Sequence, residues 1–225
     1  CGKPLRTENT DSGWHKSCIK RFFGTAELPE IAIDEAAFET LAAESTNKGY
    51  TVPGVQKKLS LHLFSEGNTP RLTLVNYPTG YILKPQVPEF EALPQAEQLV
   101  MCMADTAGIS TVPHALIMEK DSLAYITKRV DRIFTKNSMQ MLAMEDFCQL
   151  DLRLTQDKYK GSYERCAKII ERYSSRKGLD ITELYLRIVF SFLVGNSDMH
   201  LKNFSLIETE EGSGKYVLSP AYDLL

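Results

Sequence analysis

The stretch Gly195-Asn196-Ser197-Asp198-Met199-His200-Leu201-Lys202-Asn203-Phe204 crowds a carboxylate, an imidazole, an ammonium and two carboxamides into one short segment. Beyond it, after a strand-like segment, comes Pro220-Ala221-Tyr222-Asp223. These residue types suit phosphoryl transfer. That reaction needs a positioned base for the attacking hydroxyl and divalent charge to neutralise the phosphates. Asp198 can serve as the base. Asn203 and Asp223 offer the hard oxygens that Mg²⁺ demands.

The apolar run Ile188-Val189-Phe190-Ser191-Phe192-Leu193-Val194 precedes the segment, so a buried helix delivers the polar loop. Asp-x4-Asn followed by a second Asp beyond a hairpin is the layout of a protein-kinase active site. Such a site also needs an ammonium on a strand of the first half, and Tyr81-Ile82-Leu83-Lys84 supplies one. A carboxylate on the next helix should hold it: Glu97, with Glu91 as the alternative. A Gly-containing turn should lay backbone amides over the phosphates, and Gly54-Val55-Gln56-Lys57 is the candidate. Each has a plainer reading: Lys84 as a solvated lysine, Gly54 as a corner, Asp198 as a helix cap. Their chain order favours the joint one.

The supporting elements follow from periodicity. A helix is expected over 34–45, with Phe38, Leu41 and Ala42 on one face. Leu59, Leu61 and Leu63 alternate with polar residues, which is the strand period. Further strands are expected over 71–75, 80–84, 113–118 and 122–127. Between them the pattern predicts a helix over 94–107, with Leu99, Val100 and Met103 inward and Gly108 as its stop. Helices follow over 144–152, 163–173 and 180–194, then short strands at 204–207 and 216–218. The expected fold class is α+β. A sheet-rich lobe spans 27–129 and a mainly helical lobe 130–225.

Residues 1–26 differ in style. Cys1, His15 and Cys18 are zinc-type ligands, and a structural Zn²⁺ site needs four. The expectation is an incomplete zinc-ribbon-like leader whose fourth ligand would precede Cys1, with zinc held only in a longer parent protein. The plainer reading buries Cys18 and exposes His15.

With 225 residues the chain can bury a sizeable core without staples. Apolar residues make up 43% and charged ones 24%, which excludes a wholly disordered or collagen-like chain. Lys+Arg number 26 against 29 Asp+Glu, net −3, so no basic excess pulls the chain onto nucleic acid. No apolar run approaches the ~18 residues of a spanning helix, and no signal peptide is visible. Five scattered cysteines argue against a secreted disulfide framework and point to a reducing cytoplasm.

Six motifs carry a family resemblance. They are Gly54-Val55-Gln56-x-Lys58, Tyr81-Ile82-Leu83-Lys84-Pro85, Lys128-Arg129-Val130-Asp131-Arg132, Glu145-Asp146-Phe147-Cys148-Gln149, the Asn196–Phe204 loop and Leu218-Ser219-Pro220-Ala221-Tyr222-Asp223. From about residue 50 onward the chain resembles the HipA-type kinases, bacterial Ser/Thr kinases that act as toxins of toxin–antitoxin systems. The resemblance implies a two-lobed protein-kinase-like fold with ATP and Mg²⁺ between the lobes. Asp198 is then the base, Asn203 and Asp223 the metal ligands, and Lys84 a phosphate contact. The Gly54–Lys57 turn, His200, Lys202 and Tyr222 line the nucleotide site, and Lys128, Arg129 and Val130 form the adenine hinge. It further implies a protein substrate such as an aminoacyl-tRNA synthetase, a DNA-binding antitoxin of the HipB type, and autophosphorylation before the Gly-x-Gln motif. Thr51 stands there where a Ser is usual. The family continues past its Tyr-Asp motif, so the helical lobe is expected to be truncated. A pseudokinase-like binding module and a small-molecule kinase remain as alternatives.

Overall fold

The computed structural model describes residues 4–5, 12–32, 58–64, 69–73, 79–135 and 139–225. The expected helix over 34–45, the Gly54 turn, Thr51 and Cys1 lie outside them. The described residues group into two compact units. One draws on Cys1–Pro94 and Ala115–Arg129, the other on Gln95–His114 and Val130–Leu225.

The first unit is a six-stranded sheet. Its strands are β1 (Glu30–Ala32), β2 (Leu59–Phe64), β3 (Arg71–Thr73), β4 (Tyr81–Lys84), β5 (His114–Glu119) and β6 (Ser122–Lys128). Their order is β1-β3-β2-β4-β6-β5, and only the β1–β3 pair among those with a stated register is parallel. Leu59 and Leu61 point inward and Ser60 outward, as their alternation requires. Lys120 takes a positive φ of 52° in the β5–β6 turn.

Helix α1 (Lys16–Phe23) was not foreseen. Its Ile19, Phe22 and Phe23 join Leu59, Leu61 and Leu83 in the sheet's core. Trp14 packs edge-on against Phe22, with ring centroids 5.6 Å apart, and its indole N–H donates to the Leu116 carbonyl at 3.1 Å. The aromatic payload of residues 14–23 thus belongs to the sheet core, whatever Cys18 does. Gly24 closes α1 in the left-handed region at φ 79°.

The second unit holds α2 from Gln95 onward; the helix spans Leu93–Thr106. The expected inward face was wrong in part. Val100 is buried, but Leu99 is 62% exposed and Met103 is exposed too. Glu97, Met101 and Ala104 take the buried positions. Apolar residues nearly all round this helix blur the stripe, and the buried carboxylate breaks the count. Three short strands were also missed: the hairpin β7 (Arg132–Phe134) with β8 (Met139–Met141), and β9 (Met144–Asp146). The expected helix over 144–152 is therefore β9 followed by α3 (Phe147–Leu150). Asp146 caps α3, accepting from the Gln149 N–H at 2.9 Å, and that cap separates strand from helix.

Strands β10 (Ser205–Glu208) and β11 (Tyr216–Leu218) complete an antiparallel sheet in the order β11-β10-β9. Helices α4 (Tyr163–Tyr173) and α5 (Lys177–Val194) pack with it. Cys166, Ile169, Ile170 and Leu184 meet Phe204, Leu206 and Leu218 in the core. Two charged groups of α5 fasten the helix to the strand that leads to Asp223. Buried Asp180 accepts from the Leu218 N–H at 2.7 Å, from Ser174 Oγ at 2.6 Å and from Arg176 Nε at 2.8 Å. Buried Arg187 donates to the Ser219 carbonyl at 2.8 Å and to Glu183 at 3.0 Å. Asp180→Ala strands two buried donors, so we expect about 2–4 kcal/mol of lost stability in urea denaturation.

Candidate active site

Helix α5 ends where Gly195 turns left-handed at φ 74°, and Asn196 N–H caps the Ser191 carbonyl at 2.9 Å. The chain thus leaves a packed helix abruptly and enters the polar loop. Asn196 Oδ1 accepts from the Asp198 N–H at 2.9 Å, fixing the loop's first bend. A 3-10 turn, Leu201–Asn203, follows. Asn203 accepts from the His200 N–H at 2.8 Å through Oδ1 and donates through Nδ2 to the Asp223 carbonyl at 3.2 Å.

That last bond joins the two expected metal ligands across 20 residues of sequence. Asp223 itself sits at φ 53°, a backbone conformation that side-chain-bearing residues seldom adopt. The residues suit Mg²⁺. Asn203 Oδ1 keeps a second lone pair, and the Asp223 carboxylate stands on the segment that Asn203 holds.

Around this pair the loop is braced. Lys202 Nζ bonds Asp146 Oδ2 at 2.5 Å. Tyr222 donates its phenol to the Lys202 carbonyl at 3.1 Å and also meets Ser205 Oγ. Burial pushes the Tyr222 phenol up, so it stays a neutral donor. Lys202 and Tyr222 hold the loop's own backbone and its neighbouring strand.

Asp198 is 63% exposed by side chain. Tyr159 donates to its Oδ1 at 2.5 Å, and His200 Nε2 stands 4.0 Å from Oδ2. Burial foremost, then the Lys158 charge, holds His200 below the usual imidazole range, with Asp198 opposing. His200 is therefore neutral at pH 7. Sequence reasoning missed Tyr159, which carries no periodic or motif signal. It quoted Asp146 only as part of a motif and passed over Arg187.

In the first unit Lys84 is buried on β4, with Nζ 5.4 Å from the Tyr125 ring centre. Lys128 ends β6 opposite Tyr81, and Arg129 N–H donates to the Gly80 carbonyl at 2.9 Å. Val130 and the buried Glu97 belong to the second unit. Gly54, Val55, Gln56 and Lys57 lie outside the described residues, as does Cys1. His15 Nδ1 and Cys18 Sγ approach to 3.9 Å at the start of α1. Among the described residues, no three His, Cys, Asp or Glu side chains converge on a metal position.

The HipA-like C-terminal domain model matches residues 50–225. The chain belongs to that family. Among curated relatives, a "Putative kinase" of Haemophilus influenzae is 26% identical over 99% of this chain. "Putative kinase Y4dM" of Sinorhizobium fredii is 30% identical over 78% of it. The chain spans 66% and 44% of those two proteins' lengths. A chain of the Shewanella oneidensis complex of HipA, HipB and operator DNA superposes with a TM-score of 0.65 at 22% identity, covering 78% of this chain and 43% of that one. The Helicobacter pylori proinflammatory kinase CtkA gives 0.51 at 18%, covering 76% and 58%. At such identities the likeness is one of fold, and the fold of this HipA-like chain is α+β and kinase-like.

Proposed function

We propose that this HipA-like chain is the catalytic part of an ATP- and Mg²⁺-dependent Ser/Thr protein kinase, the toxin of a toxin–antitoxin pair. The observation that carries this reading is the Asn203–Asp223 bond, with Asp198 five residues earlier on the same loop. Asp198 orients the acceptor hydroxyl and takes its proton as the new O–P bond forms. The bond from the γ-phosphorus to the β,γ-bridging oxygen breaks, and ADP leaves. Asn203 and Asp223 would hold Mg²⁺, which would supply charge neutralisation at the phosphates. Lys84 contacts the same phosphates. The Gly54–Lys57 segment, outside the described residues, is the proposed phosphate-binding turn, and Lys128–Val130 is the proposed adenine hinge.

A protein hydroxyl on a translation component, such as an aminoacyl-tRNA synthetase, is the proposed target in the cytoplasm. The HipB in the Shewanella complex supports an antitoxin of that type as partner. Among the described residues no helix is long and apolar enough to cross a membrane. Thr51 is the proposed autophosphorylation site. The test is radiolabelled ATP incubated with the chain and a cell lysate, with labelled bands identified by mass. A discrete labelled protein supports the reading. Label confined to a metabolite would favour a small-molecule kinase, and bound ATP without turnover a pseudokinase.

Lys84→Met keeps the apolar stem and removes the charge. ATP affinity should fall about tenfold or more in calorimetry, as expected for losing a charge-assisted contact. Adenosine affinity should change far less, because adenosine has no phosphate. Equal losses for both ligands would contradict a phosphate contact.

A further inference from the structure

The proposed base is hydrogen-bonded by a side chain that no motif announced. Tyr159 donates to Asp198 Oδ1 at 2.5 Å, from 39 residues away in sequence. Among the described residues, no hydrogen bond reaches Asp198 Oδ2; His200 Nε2 stands 4.0 Å from it. A carboxylate's last torsion is broad and roughly two-fold. On an exposed side chain a directed bond to one oxygen sets the plane of the carboxylate and so the direction in which the other oxygen faces.

Tyr159 is itself firmly placed. Its ring meets His200 edge-on at 5.2 Å, and Lys158 Nζ lies 4.8 Å from its centre. The Leu201 N–H donates to the Lys158 carbonyl at 3.1 Å. Gly161 approaches Leu201 so closely that a Cβ there would stand 2.8 Å from Leu201 Cδ2. Segment 158–161 and the loop bearing Asp198 are thus locked together on both sides of Tyr159. A recess of about 340 Å³, lined partly by Tyr159, Tyr163, Met199 and His200, adjoins them.

We propose that Tyr159 is a positioning residue: its hydroxyl fixes Oδ1 of Asp198 so that Oδ2 faces the acceptor hydroxyl. This rests on the kinase reading of Asp198. The same bond holds the phenol up at about 12, the Asp198 contact being the largest cause and burial the next.

Two measurements test it on the full chain. The first follows the Tyr159 phenol by ¹³C-tyrosine NMR near pH 11, with Tyr159→Phe to assign its signal. In the wild type the phenol should remain mostly protonated. In Asp198→Asn, where the accepting charge is gone, it should titrate about one pH unit or more lower. The second measures transfer from γ-labelled ATP to casein and to the chain itself. Tyr159→Phe should lower kcat about tenfold, with KM for ATP unchanged, because orientation is lost and nucleotide binding is not. Identical phenol titration in wild type and Asp198→Asn overturns the proposal. So does an unchanged kcat in Tyr159→Phe beside an active wild type, and that result leaves the kinase reading standing. A wild type that transfers no phosphate overturns the kinase reading itself, and with it any catalytic role for Tyr159.

Discussion

Asp198→Ala is expected to lower phosphotransfer by about 10²–10⁴-fold, the usual loss when a positioned base is removed. ATP binding should persist. Asp198 is exposed, and among the described residues it bonds its neighbours through its own N–H and one phenol. Its removal therefore leaves the Asn203–Asp223 link and the Lys202–Asp146 brace in place. Calorimetry with Mg-ATP should return an affinity close to that of the wild type, while labelled-ATP assays show the rate loss. A fall in both would mean that the loop had collapsed. A rate near that of the wild type would remove Asp198 from the mechanism.

The second large effect is expected at Asp223. Its backbone sits at φ 53°, which Asn tolerates better than most residues, so Asp223→Asn is the cleaner variant. The Asp223 carbonyl still accepts from Asn203, and only the carboxylate charge is lost. Mg²⁺ borrows phosphate oxygens and needs few protein ligands, so losing one of two is severe. Metal stabilisation is worth several kcal/mol, and losing about 3–4 of it corresponds to about 10²–10³ in rate. ATP titrations with and without Mg²⁺ should show the wild-type enhancement disappear in the variant. An undiminished Mg²⁺ enhancement would contradict the assignment of Asp223.

The proposed site's members stood out in the sequence because their types are chemically restrictive. Asp198, Asn203 and Asp223 offer side-chain oxygens at fixed offsets, and the apolar run 188–194 at the end of the helix expected over 180–194 visibly precedes the first two. Strand β2 was legible for a different reason: Leu59 and Leu61 alternate strictly with a polar residue. Helix α2 shows the limit of such counting. Glu97 is buried at 2% exposure and Leu99 lies outside, and no hydrophobic pattern anticipates a buried carboxylate. Strand β9 is three residues long and runs straight into a capped helix, too short for either period to register.

Long-range bonds were wholly hidden. Asp180 to Leu218, Arg187 to Ser219 and Tyr159 to Asp198 each join residues more than 30 apart. They depend on how α5 packs beside β11 and on where segment 158–161 meets the loop. Neither is a local property of any window. Residues 14–23 were read for their cysteine and histidine. Their Trp14, Phe22 and Phe23 instead supply much of the sheet's core.

The most direct test of the central claim separates the two ends of ATP. The chain is incubated with Mg²⁺ and ATP labelled at either the γ- or the α-phosphorus, alongside Asp198→Ala, and acid-stable label on protein is counted. A protein-hydroxyl kinase should transfer γ-label and no α-label, and Asp198→Ala should lose the transfer. Transfer of α-label, or γ-transfer that survives in Asp198→Ala, would contradict it.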